Sequence, residues 1–507
     1  MAFHSILFAQ AEDTIPEEPP DFFPDLNLDQ VVEAITAGKQ EYDLRPFFYT
    51  TLHDAGAIRY RQEVMQDLED ETLLRGISTF AEQMVLVRRY LALVEKLDYR
   101  YHKAGWFLAA AEVYCRAVAG LAQALEGARL RSQGLAGLLE YLVDYVASPA
   151  FATLSTETRE LQTELSSVAY CVTIRGNTVQ VRKYEGEADY SAEVERTFAR
   201  FRQGEVKDYR VPLYKGAGMN YVEGQILDCV ARLYPDLFAR LDDFCTRHSA
   251  FLDETIRRFD REVQFYVAYL HFIAHFQKAG LPFCYPQVTT DKEIYARDCF
   301  DIALANRLVP MGQAVIPNDF YLQGPERVIV ITGPNQGGKT TFARAFGQLH
   351  YLASIGCPVP GREARLFLYD RLLTHFEREE DIRNLRGKLQ DDLVRIQAAL
   401  GQATPQSILI LNEIFASTTL QDAIFLSRRV MERIVELDLL CVWVTFLDEL
   451  AAFGAQTVSM VSTVAPDNPA VRTFKIVRRP ADGLAYALSI AEKHHVTYKR
   501  IMERIPR

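Results

Sequence analysis

Several things are missing from this chain, and each absence removes a class of protein. No apolar run reaches the ~18 residues that a membrane-spanning helix requires, so no membrane partner is expected. The opening AFHSILFAQ is short and has no basic leader, so it does not read as a secretory signal. The eight cysteines (115, 171, 229, 245, 284, 299, 357 and 441) are scattered among 507 residues with no C-x-x-C pair. That argues for reduced thiols in the cytoplasm and against a disulfide or zinc framework. The net charge of −11 carries no global basic signature, so contact with nucleic acid would fall to local patches. No repeat with a fixed period occurs. What is left is an ordinary globular composition, 49% apolar and 24% charged, long enough for about three domains.

The N-terminal stretch 11–27 (AEDTIPEEPPDFFPDLN) holds four prolines and six acidic residues. That argues against a regular helix and for a linker or extended arm. From about Phe47 to Ala147 apolar residues recur three and four apart with few breakers, which predicts long helices. Residues 168–174 (VAYCVTI) then predict a strand, Arg175-Gly176-Asn177 a turn and Thr178-Val179-Gln180-Val181-Arg182 a second strand. Together they read as a β-hairpin interrupting a helical domain. A charged helix (AEVERTFARFRQ) follows, helices resume from Tyr221 to about Gly280, and GLPFCYP closes the region. Beyond residue 285 strands and helices alternate, the α/β signature. The expected division is an arm over 1–45, a helical domain over 46–285 with a β insertion at about 166–218, and an α/β domain over 286–507.

The clearest chemistry lies in Gly333-Pro334-Asn335-Gln336-Gly337-Gly338-Lys339-Thr340-Thr341, which satisfies the phosphate-loop pattern G-x-x-x-x-G-K-[ST]. Its flanks suit it. Residues 327–332 (RVIVIT) read as a buried strand, and Phe342, Ala345, Phe346, Leu349 and Leu352 sit at helical spacing after the loop. Loop N–H groups and the helix N-terminus then face one anion. Lys339 is expected to reach the β- and γ-phosphates of ATP, and Thr340 to put its hydroxyl on Mg²⁺.

A second strand, Ser407-Ile408-Leu409-Ile410-Leu411, delivers Asn412 and Glu413 at its end. In the usual arrangement an Asp and a Glu stand there, one for Mg²⁺ and one to orient the attacking water. Glu413 suits the second role, as the base beside the water. Asn412 offers the metal an oxygen without a charge. Two weaker signals remain. Residues 168–220 carry nine Lys/Arg against seven Asp/Glu, with Arg196 and Arg200 one helical turn apart and Arg202 close by. These three are candidate DNA-phosphate contacts, or equally a solvated helix laced with pairs to Glu195. His271 and His275 stand i,i+4 on a helix, but no HExxH glutamate or third ligand accompanies them, so they read as structural.

Taken together, residues 315–505 resemble the ATPase domain of the MutS DNA mismatch-repair family, a branch of the ABC-type ATPases. The resemblance rests on TGPNQGGKTT at 332–341, where the family reads TGPN-x-GGKST. It is supported by Ile316-Pro317-Asn318-Asp319 upstream, Ile355-Gly356-Cys357-Pro358-Val359-Pro360 and Asp370-Arg371-Leu372-Leu373-Thr374 downstream, and Asn412-Glu413-Ile414 followed by Thr418 and Asp422. The helical region is similar to the family's lever and clamp domains in architecture and in Tyr60-Arg61-Gln62. The resemblance implies a multidomain α plus α/β protein, in which a helical lever domain with a small β insertion precedes an ABC-type P-loop ATPase domain. It implies ATP and Mg²⁺ as ligands and a homodimer. In that dimer Arg386 and Lys388 face the partner's γ-phosphate.

The departures are specific. The family's mismatch-reading and connector domains have no counterpart in this sequence. Asn412 replaces the family Asp, and Phe415-Ala416-Ser417 replaces Gly-Arg-Gly. Phe446 stands at the switch histidine, and Val315 where an aromatic stacks on adenine. Two readings follow. One is a DNA-associated, slow ATPase working as a dimeric clamp. The other is a nucleotide-gated scaffold that holds a protein partner and barely hydrolyses ATP.

Overall fold

The structure, a computed structural model, describes residues 3–10, 15–176, 178–186, 219–377, 387–481, 497–498 and 501. It divides into two compact units. One comprises Met1–Phe3, Asp70–Leu130 and Leu135–Asp260; the other comprises His4–Glu69, Arg131–Gly134 and Arg261–Arg507. This partition differs from the one expected. Residues 4–69 group with the C-terminal α/β residues, although the sequence placed 1–45 as an arm and 46–69 with the helices.

In the helical unit, Asp70 caps helix Glu71–Lys96, accepting from the N–H groups of Thr72 and Leu73 at 2.9 Å. Leu73, Ile77, Phe80, Met84 and Val87 form the buried stripe that the periodicity predicts. It packs on helix Arg100–Glu126, and at Gly76 the approach is so close that an added Cβ would lie 2.6 Å from the Ala124 Cβ. Among the described residues, Arg100–Glu126 is the one helix long and apolar enough to cross a membrane. It is also the core helix of this unit, with Tyr114, Val118, Leu121 and Leu125 fully buried. The β insertion is an antiparallel hairpin, Tyr170–Arg175 with Thr178–Lys183, in register from Tyr170 opposite Lys183 to Arg175 opposite Thr178. Arg196, Arg200 and Arg202 lie outside the described residues.

The second unit is built on a six-stranded sheet. Its spatial order is Leu372–His375, Ile408–Asn412, Leu440–Val444, Val328–Thr332, Thr457–Ala465 and Asn468–Arg478. The first five strands are parallel, and the last returns antiparallel along the edge. Strands 328–332, 408–412 and 440–444 are buried at every position, as a parallel sheet covered on both faces demands. One face rests on a core that includes Trp443, Phe415, Met431 and Ile434. A smaller four-stranded sheet orders Gln287–Thr289, Glu363–Phe367, Ile294–Cys299 and Asn318–Leu322.

The N-terminal residues are part of this unit's interior. Phe22, Phe23 and Leu26 are buried, and the Phe23 ring meets Tyr49 and Tyr351 edge-on at 5.4 and 5.2 Å. Gln348, on helix Lys339–Ser354, donates to the Leu26 carbonyl at 2.9 Å. Arg344 of the same helix donates to the Asp25 carbonyl at 3.0 Å, and Thr374 donates to the Asp25 carboxylate at 2.7 Å. The prolines exclude a helix over this stretch, as expected, but its aromatic residues bury themselves against the glycine-loop helix. Tyr60-Arg61-Gln62 also belongs here, on helix Ala55–Asp67. Arg61 is fully buried and donates to the carbonyls of Leu7 at 2.9 Å and Ile355 at 3.2 Å.

Candidate nucleotide site

The loop 333–338 joins a fully buried strand of the sheet, Val328–Thr332, to helix Lys339–Ser354. Its path needs glycine at two points, where φ is +109° at Gly333 and +90° at Gly338. Gln336 takes φ +60° without that freedom. The loop lies directly on strand Thr457–Ala465. Ser462 Oγ donates to the Gly337 carbonyl at 2.7 Å, and a Cβ on Gly337 would sit 2.1 Å from that oxygen. Gly337 therefore serves close approach to Ser462. The first N–H groups of the helix have no partner within it and open toward the loop.

Lys339 is 5% exposed and turns back into the loop. Its Nζ donates to the carbonyls of Gly333 at 3.0 Å and Pro334 at 3.2 Å, and to Asn335 Oδ1 at 3.2 Å. Glu413 Oε1 lies 3.8 Å away. Burial pulls the ammonium below the usual lysine range, Glu413 works against that shift, and the charge of Arg472 adds to it. Thr340 Oγ1 donates to Asn412 Oδ1 at 2.9 Å. The residues proposed for phosphate, metal and water thus converge from two strand ends and one helix. Glu413 adopts φ +53° immediately after its strand. Non-glycine residues take this region at a cost of about 1–2 kcal/mol, and such outliers gather at functional sites.

A cavity of about 680 Å³ opens beside the loop. Its lining includes the loop residues 335–341, Glu413, Asn318, Asp301, and an apolar wall of Leu304, Leu308, Ile316 and Phe474. Val315 does not line it, but its neighbours Ala314 and Ile316 do. Asp301 is buried; burial raises its carboxyl above the usual range, while the Leu304 N–H and the Gln348 amide donate to it and work against that shift. Phe474 is half exposed, sits at φ +59° and offers its carbonyl to the Asn318 amide at 3.1 Å. Sequence reasoning missed Phe474, Ser462 and Arg472. All three lie on the edge hairpin, and no local motif marks them.

Other predicted residues fall less centrally. Lys388 opens helix Lys388–Gln402 and pairs with Glu377 of the same chain. Arg386 lies outside the described residues. Phe446 is half exposed just beyond strand Leu440–Val444. No cluster of metal-ligating residues occurs among those described. His275 instead packs its ring on Phe276, with centroids 3.7 Å apart.

Strand, glycine loop and helix in a buried parallel sheet, with a polar pair at the end of the next strand but one, define the class of domain. A family profile, MutS domain V, matches residues 329–503. Relatives named DNA mismatch repair protein MutS occur in several bacteria. That of Chloroflexus aurantiacus is 30% identical over 220 residues, covering 43% of this chain and 22% of the relative. That of Orientia tsutsugamushi is 26% identical over 214 residues, 41% of this chain and 24% of the relative. That of Zymomonas mobilis is 32% identical over 159 residues, 30% and 18% respectively. Residues 329–503 match a MutS domain V, and over this part the chain is similar to MutS proteins, as its motifs imply. It spans less than a quarter of the length of these relatives.

Proposed function

We propose that this chain binds ATP with Mg²⁺ at the loop 333–341 and hydrolyses it slowly, using binding to drive a conformational change in a DNA-associated homodimer. The observation that carries the reading is the convergence on Lys339, with Glu413 at 3.8 Å and the Thr340–Asn412 pair at 2.9 Å beside it. The loop N–H groups and Lys339 bind the phosphates. Glu413 holds a water in line with the terminal phosphorus. The water oxygen bonds to phosphorus as the bridging bond to ADP breaks, and its proton passes to the carboxylate. Thr340 and Asn412 supply two neutral oxygens, which suit a divalent ion that takes its other ligands from water and phosphate. When bound, Mg²⁺ neutralises charge on the transferring phosphate.

Slow turnover follows from Asn412, which brings no charge, and from Phe446, which offers no donor. The eight cysteines are all free thiols, and burial pushes those of Cys115 up to about 12 and of Cys245 and Cys284 up to about 11. Unpaired thiols suit a reducing cytoplasm. Lys339→Ala is the direct test. Calorimetry should show ATP affinity lowered at least tenfold, about 1.4 kcal/mol, and unchanged affinity would sink the assignment. For the dimer, sedimentation of ATP-bound Glu413→Gln should give a two-fold species, and a strict monomer at micromolar concentration rejects it.

Asn412, Phe446 and the net charge of −11 favour a second reading, a nucleotide-gated scaffold for a protein partner. A DNA titration across salt, with and without ATP, separates them. A steep salt slope that changes with ATP supports the first; no DNA binding supports the second.

A further inference from the structure

The cavity beside the glycine loop has a second, chemically different end. Leu304 and Leu308 lie one turn apart on helix Ile302–Leu308 and line the cavity with Ile316 and Phe474. Such a wall suits a flat apolar body rather than a phosphate. One charged group is set into it. Asp301, which caps that helix, also lines the cavity and is 4% exposed. Its Oδ1 accepts from the Leu304 N–H at 3.0 Å and from the Gln348 amide at 2.9 Å. Burial opposes its charge, while Leu304, Gln348, the Arg344 guanidinium and the Ala303 N–H support it. Gln348 is itself held, donating to the Leu26 carbonyl at 2.9 Å and accepting from the Ile302 N–H at 2.9 Å. It stands nine residues past Lys339 on one helix, about 13.5 Å along the axis. Asp301 therefore marks the end of the cavity away from the phosphate loop.

We propose, on the reading of 333–341 as a triphosphate site, that this far end is a nucleobase subsite in which Asp301 selects adenine over guanine by accepting from the exocyclic amine. A carboxylate has about four acceptor sites on its two oxygens. Three N–H donors of the protein meet it, and two of them fill Oδ1, so the remaining capacity lies on Oδ2. Adenine presents an N6 amino donor where guanine presents the O6 acceptor. The amine completes the carboxylate. The guanine carbonyl faces it with like partial charge and leaves both groups unpaired where little water reaches. Guanine turned to present its N1–H and N2 amine together needs two acceptors side by side, and Oδ1 is already filled. A site built around one such bond rejects a base that lacks the donor more strongly than the apolar wall alone does.

The test exchanges one atom. In Asp301→Asn the amide oxygen stays with Leu304 and Gln348, because the reverse orientation sets an NH₂ against two donors. The NH₂ then stands at the remaining position and donates, which suits O6 of guanine and not the amine of adenine. Asparagine is as good a helix cap as aspartate, so thermal melting should be unchanged. Full-length wild type and Asp301→Asn are titrated by calorimetry with ATP and with GTP. The wild type is also titrated with purine riboside triphosphate, which lacks the N6 amine. Wild type should bind ATP at least tenfold more tightly than either GTP or the purine analogue, and the ATP-to-GTP preference should fall at least tenfold in Asp301→Asn. A smaller preference in the wild type, or equal weakening of ATP and GTP in the variant, overturns the proposal. If Asp301→Asn fails to fold, the purine analogue decides: weaker binding than ATP by tenfold upholds the amine contact, and a smaller difference overturns it. A wild type that binds no triphosphate overturns the reading of the loop and this proposal with it. Binding that is lost in Lys339→Ala but indifferent to the base overturns the role of Asp301 alone.

Discussion

The Thr340 hydroxyl donates to the side-chain oxygen of Asn412 at 2.9 Å, joining the start of the glycine-loop helix to the end of strand Ile408–Asn412. An aspartate accepts the same bond and adds a charge. Asn412→Asp should therefore keep the local geometry and raise Mg²⁺-dependent ATP hydrolysis by at least about tenfold, within the range attributed to preorganised charge. Steady-state phosphate release measures this. A flat or lower rate means that the surroundings are organised around the amide.

Phe415 is fully buried at φ +61°, where the resemblance places a glycine. Phe415→Gly relieves about 1–2 kcal/mol of backbone strain and forfeits about 3–5 kcal/mol of packing. Denaturant unfolding should show a net loss of about 1–4 kcal/mol. A stabilised variant would mean that the ring contributes little to the core it shares with Trp443 and Met431.

Phe23→Ala should destabilise the second unit by about 3–5 kcal/mol, since the ring is buried against Tyr49 and Tyr351. Urea unfolding of the full chain gives the number. A neutral result would restore the picture of residues 15–27 as a free arm.

His350 lies buried on the glycine-loop helix, its Nδ1 donating to the Phe346 carbonyl at 2.8 Å. Burial pushes its pKa down from 6.5 to about 4, with the Phe346 bond opposing. Below pH 6.5 the unfolded chain takes up a proton that the folded chain refuses, so stability is lost as pH falls from 6.5 toward 4, by about 3 kcal/mol at most. His350→Gln keeps a donor for Phe346 and cannot titrate. Its unfolding free energy should change less with pH across that window than that of the wild type; parallel curves would assign the acid sensitivity elsewhere.

The loop and its flanking elements were legible because every residue involved is local. Valine and isoleucine between 328 and 331, glycines at 333, 337 and 338, and lysine at 339 specify strand, turn and helix within a dozen positions. The pairing of Asn412–Glu413 with that loop was legible by chemistry, since a phosphate site needs a polar strand end beside it. The packing of Phe22, Phe23 and Leu26 was not, because prolines and acids dominate the local pattern while the partners, such as Gln348, stand 322 positions away. Phe474 and Arg472 were hidden for another reason. They belong to a strand that returns antiparallel at the sheet edge, and only that turn brings them to the loop. The left-handed backbone at Glu413 and Phe415 carries no glycine to announce it.

The N-terminal segment has a consequence for synthesis. Residues 4–69 are synthesised before residues 261–507, with which they pack. Between Leu26 and its partner Gln348 lie 322 positions, which at bacterial or eukaryotic elongation rates take on the order of tens of seconds to add. During that interval Phe22, Phe23, Leu26, Phe47 and Phe48 have no native surface to cover them, while the helical unit between them and their partners is completed. The nascent chain therefore offers a chaperone an apolar stretch throughout that interval, and the glycine-loop helix covers Leu26 only when it has been made.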